Sequence, residues 1–412
     1  MPRTVGTILL VFLSALVCFG LVMLYSTTYA TAAESTLIRQ TAWILAGGIA
    51  AFAIRRFDYR RLGGWSPVLL AAVALALAYL ALASLLHDRI PDTLFARLPF
   101  VLPDPTKGSF RWLHIWRFSV QPSEFAKIAI ILFLADYYHR RARFTRHFVR
   151  GVLLPMGIAG FVVVLILLGR DLSTTAITAA VVAALSFIAG IRLRYIVLTG
   201  VAGTLLILLM IAATPERMSR LLTFQDPEAH QFDEGYQLWA SQLALGSGSW
   251  RGLGFADSRM KQRYLPEAST DFIVAIVGEE LGFFAVVSLI LAYFVITGCI
   301  LVIGCFAPDR LGLLLCLGIG LLFGVQALVN ISVVSGFCPT TGVTAPFVSY
   351  GGSSMLAGML GVGLVFSVLR IIEENQTEES LQDAVRITDT PTIRTHALRC
   401  GQPNATPFKD NA

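Results

Sequence analysis

The sequence predicts an all-α, polytopic integral membrane protein, a helical bundle of about ten transmembrane helices with a large extracytoplasmic loop. Three observations predict it. Of 412 residues, 56% are hydrophobic and only 14% charged, too little charge for a soluble domain. Apolar runs of about 20 residues, enough to cross roughly 30 Å of hydrocarbon as a helix, recur from end to end. Basic residues gather in alternate connections between those runs.

The runs lie near 5–25, 39–55, 66–87, 121–138, 151–169, 173–190, 194–213, 270–303, 312–336 and 349–371. Arg3 precedes the first, but no small-residue cleavage site follows, so it reads as a retained helix. The run 270–303 is long for one helix and predicts tilt or projection beyond the bilayer. Arg55, Arg56, Arg60 and Arg61 follow the second run, and HRRARFTRHFVR (His139 to Arg150) follows the fourth. Arg192 and Arg194 stand between the sixth and seventh, and Arg310 precedes the ninth. These connections share one face, cytoplasmic by the positive-inside rule, which places both termini inside. The net charge of +6 is mostly this signal. Contact with membrane lipids fits it, and nucleic-acid binding is not expected.

Six cysteines show no metal-ligand spacing, and no nucleotide-binding or metalloenzyme motif occurs. No cofactor is evidently required, although magnesium or manganese would be compatible with phosphate chemistry. Residues 1–372 form the transmembrane domain. From 373 to 412 the chain is polar, without a helical stripe, and predicts a disordered cytoplasmic tail.

The opposite face carries the longest connections, about 88–120 and 214–269. The first ends in GSFRWLHIWRFSVQPSEFAK (Gly108 to Lys127), with Arg111, Arg117, Glu124 and Lys127 beside Trp112 and Trp116. The tryptophans suit an interfacial belt as well as a sugar platform. Gln121, Pro122, Ser123 and Glu124 read as a helix start. Glu124 and Lys127, three apart, then share a face, either as an internal ion pair or as substrate contacts. The second connection has an amphipathic stretch, Gly235 to Leu245, then the turn GSGSWRGLGFADS. Its glycines would allow backbone to approach an anion, or make a plain reversal. Arg217, Arg220, Arg251, Arg259, Lys261 and Arg263 surround that turn, an excess of outer cations that suggests an anionic ligand such as a phosphate.

The acids stand next to those cations. YLPEASTDFIVAIVGEELGF (Tyr264 to Phe283) places Glu267 and Asp271 before a span and Glu279 and Glu280 within it. Carboxylates in a bilayer need partners or a polar cavity. Downstream, CPTTGVTAPFVSYGGSS (Cys338 to Ser354) has prolines and glycines that prevent a regular helix. Such backbone must be buried in protein or line a cavity, so Ser349 and Tyr350 are expected to face a polar interior.

Together these motifs resemble the SEDS family of bacterial cell-wall proteins (FtsW, RodA and SpoVE). The resemblance rests on GLVMLYS, RQTAW, FDYR, RW at Arg111 and Trp112, QPSEFAK, FQDP, YLPEASTDF, GEELG and PTTGVTAPFVSYGGSS. GLVMLYS, FQDP and YLPEA look closest to the FtsW branch. Three positions depart from the family pattern: Thr341 stands where many FtsW sequences have Lys, Ser269 where His is usual, and Arg170 precedes Asp171 in place of Pro.

The resemblance implies a peptidoglycan glycosyltransferase that polymerises lipid II outside the inner membrane, in cell division at the septum. It also implies a class B penicillin-binding protein as crosslinking partner, with other divisome proteins, and Asp271 as the residue most tied to catalysis. The chemistry agrees. A carboxylate can take the proton of the acceptor hydroxyl, and cations can receive the departing pyrophosphate. Asp271 is therefore expected to be the base, with Glu267 four residues earlier tuning it from the same helix face. Arg111, Lys127 and Lys261 are expected to converge on Asp271. A lipid II flippase, a RodA-like elongation enzyme and a non-catalytic scaffold are the rival readings.

Overall fold

The computed structural model describes residues 1–29, 34–87, 110–115, 118–145, 147–212, 218–219, 223–233, 235–262 and 264–388. Trp116, Arg117, Arg217, Arg220, Arg263 and most of the connection 88–120 lie outside those residues, as does the chain beyond 388. Within them the chain is helical. The long helices are α1 (Pro2–Tyr29), α2 (Glu34–Arg56), α3 (Tyr59–His87), α4 (Pro122–Arg140), α5 (Leu154–Leu168), α6 (Leu172–Ile188) and α7 (Leu193–Ala212). They continue with α8 (Tyr236–Gly248), α9 (Ile273–Cys305), α10 (Arg310–Val334) and α11 (Gly352–Thr388). A two-stranded antiparallel hairpin, β1 (Leu113–Ile115) with β2 (Phe118–Val120), precedes α4 in the register Leu113↔Val120.

Among the described residues, eight helices are long and apolar enough to cross a membrane, α5 being counted with its π-helical lead-in as Phe148–Leu168. The two expected spans that fall outside that set are α4 and α6. At 17 residues, α6 is short. The charges of α4 are tolerated because protein rather than lipid surrounds it. It packs on α3, α5, α6, α10 and α11, and from Ile128 to Tyr138 every residue is buried. At the periphery, α7 packs mainly on α6 and buries none of its residues.

The long run 270–303 is a broken helix. Gly282 has φ +78 and ψ −173 inside α9, a conformation open in practice only to glycine. Continuous helix would give the Glu279 carbonyl to the Phe283 amide. Instead the Phe283 N–H donates to the Ser249 carbonyl at 2.9 Å. The freed carbonyls of Glu279 and Glu280 accept from the amides of Leu253 (2.9 Å) and Gly254 (3.0 Å). The outer turn is thus wedged into the helix. Its glycines admit another backbone: a Cβ on Gly252 would strike the Glu280 carbonyl, and one on Gly248 that of Gly278. This corrects the anion-cradle expectation. Helix α8 packs along α9, burying Leu238, Ala240 and Ala244 and setting Leu245 against Gly278.

At the other end Asp309 caps α10, its Oδ1 accepting from the Gly312 amide at 2.8 Å. Its Oδ2 accepts from Arg60 Nε (2.6 Å) and Tyr59 Oη (2.9 Å), tying α10 to α3. Burial pushes this carboxyl up, but the Gly312, Arg60 and Tyr59 hydrogen bonds outweigh it and hold it below the usual range. Helix α11 runs on past Glu373, so the described part of the polar tail, to Thr388, is helical. Good helix formers, chiefly Glu and Gln, make up about half of that stretch, and no proline intervenes before Pro391.

The wedge makes a sharp prediction. Gly282→Ala should lower the unfolding temperature in detergent, losing roughly 1–3 kcal/mol from backbone strain alone. Gly298→Ala, elsewhere in α9 with open space around it, should be neutral or slightly stabilising. Equal unfolding temperatures for the two would remove the break from the account.

Candidate active site

A non-helical segment, 338–351, buried at Val343 and from Ala345 to Ser349, threads between α10 and α11. Side chains of other elements satisfy its backbone. From α10, Asn330 Nδ2 donates to the Val343 carbonyl (2.6 Å) and Gln326 Nε2 to that of Thr344 (3.3 Å). Tyr293 Oη of α9 donates to the Pro346 carbonyl at 2.7 Å. Gln40 of α2 spans the end, donating to the Ser349 carbonyl and accepting from the Gly351 amide. The Tyr350 N–H donates to the Ser269 carbonyl (2.9 Å), which joins the segment to the turn bearing the acids.

Asp271 lies in that turn, partly exposed, just before α9. Phe272 occupies the cap position with no side-chain bond, so Asp271 does not serve as the helix cap. Its carbonyl accepts from Asn330 Nδ2 at 2.8 Å. The same amide therefore fixes the acid turn and the buried segment together. Where a Cβ on Gly342 would sit, Asp271 Oδ2 is 3.3 Å away and Arg111 Nη1 is 3.6 Å away. Carboxylate and guanidinium thus flank one small space beside an exposed glycine. Arg111 is oriented from behind: Nη2 donates to the Arg170 carbonyl (2.9 Å), and Nη1 is 3.9 Å from Asp171 Oδ1. Asp171 caps α6 through the Thr174 amide and also accepts from Gln121 Nε2.

Glu267 stands in the same turn with φ +55, and its Oε2 accepts from the Thr270 hydroxyl at 2.8 Å. Helix α9 starts only at Ile273, so the expected shared helix face of Glu267 and Asp271 does not form. The turn from Pro266 to Asp271 holds both residues in irregular backbone instead.

The other expected residues go elsewhere. Glu124 and Lys127 share a face of α4 with Pro122 at its start, and they pair internally at 2.8 Å, both buried. Lys127 Nζ also donates to Gln326 Oε1 at 3.3 Å. The pair lines a cavity with Gln326, Pro346, Phe347 and Ser354. Lys261 does not join Asp271. It is buried, donating to Glu280 (2.8 Å) and to the Ser26 hydroxyl (3.0 Å). Glu280 further accepts from the Ala256 amide, and Glu279 from the Ser258 hydroxyl and the Arg259 amide. The expected convergence of three cations is therefore corrected: of Arg111, Lys127 and Lys261, only Arg111 borders Asp271. The other two were needed as partners for acids buried within the bundle. Ser349 closes the segment locally, its Oγ accepting from the Ala345 amide at 2.9 Å, rather than lining open space.

Sequence reasoning missed Asn330 and Gln326, and it noted Asp171 only as a motif position. Gln326 and Asn330 are four apart in an apolar run, a spacing that puts two polar groups on one inward face. Among the described residues, no group of three or more His, Cys, Asp or Glu is placed to hold a metal ion.

The buried pair yields a stability prediction. Lys261→Met should destabilise by about 3–5 kcal/mol, because it strands Glu280. Adding Glu280→Gln should recover part of that loss, giving a favourable coupling in a thermal-unfolding double-mutant cycle. Additive losses would show that the pair is not a unit.

Comparison with known proteins identifies the family and the fold. The family described as Cell cycle protein, FTSW_RODA_SPOVE, matches residues 6–374. A probable peptidoglycan glycosyltransferase FtsW from Trichlorobacter lovleyi is 34% identical over 367 residues, 88% of this chain and 92% of that protein. A solved chain from a peptidoglycan synthase complex that coordinates polymerization and crosslinking superposes with a TM-score of 0.70 at 27% identity, covering 88% of this chain and 97% of that one. The rod shape determining protein RodA of Thermus thermophilus gives a TM-score of 0.63 at 26% identity, covering 88% and 95%. The chain is a multi-pass membrane protein and belongs to the FtsW/RodA/SpoVE family.

Proposed function

We propose that this protein is a peptidoglycan glycosyltransferase that polymerises lipid II into glycan strands at the outer face of the bacterial inner membrane, in cell division. The observation that carries the reading is the carboxylate of Asp271 and the guanidinium of Arg111 flanking the space at Gly342. In the reaction, the acceptor hydroxyl oxygen bonds the donor's anomeric carbon while the bond from that carbon to the pyrophosphate oxygen breaks. Asp271 takes the hydroxyl proton as general base. The leaving pyrophosphate gains negative charge, which Arg111 meets. Asp171 partly offsets the charge of Arg111, and the Arg170 carbonyl orients it. Glu267, already bonded to Thr270, shapes the turn rather than moving the proton.

Relatives named peptidoglycan glycosyltransferase FtsW support the activity, and FtsW-like motifs favour division over elongation. A structural neighbour's place in a complex of polymerization and crosslinking supports a class B penicillin-binding protein as partner. The positive-inside pattern supports cytoplasmic termini.

Purified protein given lipid II tests the reading. Glycan strands in detergent are expected; flipping in vesicles without strands would favour the transporter. Arg111→Ala should weaken lipid II binding and flatten its salt dependence, because a charge contact is screened by ions. Glu267→Gln should keep more activity than Asp271→Asn, and the reverse order would exchange their roles.

A further inference from the structure

Among the described residues, six buried side-chain nitrogen or oxygen atoms have no hydrogen-bond partner. Such atoms are uncommon in folded proteins, because each costs the desolvation of a polar group. Three of the six, Arg111 Nε, Asn330 Oδ1 and Thr341 Oγ1, belong to residues that meet at 341–343. Arg111 reaches Gly342, Asn330 bonds the Val343 and Asp271 carbonyls, and the Thr341 carbonyl accepts from the Val343 amide at 3.0 Å. Asn330 is only 1% exposed.

The three orphans differ in kind. Arg111 Nε is a donor only, Asn330 Oδ1 an acceptor only, and the Thr341 hydroxyl either. A phosphate offers acceptors and would leave Asn330 unmet. A cation would suit Asn330 and Thr341 but be repelled by Arg111. An amide offers a carbonyl for the donor and an N–H for the acceptor.

We infer that Arg111, Asn330 and Thr341 form a subsite for the acetamido group of an N-acetylated sugar. The inference rests on the polymerase reading above and deepens it. An acetamido group on the sugar carbon adjacent to the reacting one would sit beside Asp271, so binding it would place the anomeric carbon. The site would then select N-acetylated sugars over those with a free amine. Selectivity of this type is large where a buried polar group is left unpaired by the wrong substrate.

Thr341→Val is the informative variant. It removes a hydroxyl that has no bond to lose, so folding should be unharmed or slightly improved. The test measures strand synthesis from lipid II and from lipid II whose acetamido groups have been converted to free amines. Wild type should prefer the acetylated substrate by about tenfold or more in kcat/KM. Thr341→Val should cut that preference by roughly threefold or more, with an unchanged or higher unfolding temperature. Equal use of both substrates by wild type, or a preference untouched in Thr341→Val, would overturn the subsite. Failure of wild type to polymerise either substrate would overturn the polymerase reading itself, and the subsite with it.

Discussion

The structure depends on an irregular stretch of backbone, 338–351, being held inside a bundle of apolar helices. Away from water, an unpaired peptide group costs several kcal/mol in hydrocarbon surroundings. Such a segment is tolerated only if its neighbours supply the missing partners. Here α2, α9 and α10 do so, through Gln40, Tyr293, Gln326 and Asn330. Those side chains satisfy carbonyls and also fix where the segment lies. Gly342 consequently comes to rest between Asp271 and Arg111.

The same logic governs the outer connection. Glu279 and Glu280 are fully enclosed, so each needs its full complement of donors. Backbone amides of the 256–260 stretch, Ser26, Ser258 and Lys261 provide them. In return the connection is pinned to α9 on both sides of the Gly282 break. The short half-helix that follows Asp271 is therefore braced by the connection and by α10 at once. A reacting group needs such bracing, since misplacement by about 1 Å can cost 100-fold in rate.

Much of this was legible in the chain. Hydropathy located the long helices because the bilayer fixes their length, and the acid motif marked the turn that carries Glu267 and Asp271. What was not legible depended on partners distant in sequence. Lys261 lies ten residues before Asp271, yet its charge serves Glu280, and local spacing cannot report a buried acid's need for a cation. The glycines at 248 and 252 signalled close approach correctly, but a helix backbone rather than an anion approaches them. Gln326 and Asn330 carried a readable signal, two amides on one face of an apolar run. That signal is fainter than a carboxylate's because amides carry no charge. The helix beyond Glu373 was hidden by its polarity, since helix propensity there acts without an apolar stripe.

In the proposed reaction, Asp271 removes the acceptor proton in a site whose shape does not depend on its charge. The most direct measurement compares Asp271→Asn with wild type for lipid II binding and for strand synthesis in the same preparation. Near-normal binding and folding are expected, with strand synthesis abolished. Near-normal polymerisation by Asp271→Asn would contradict this role for Asp271.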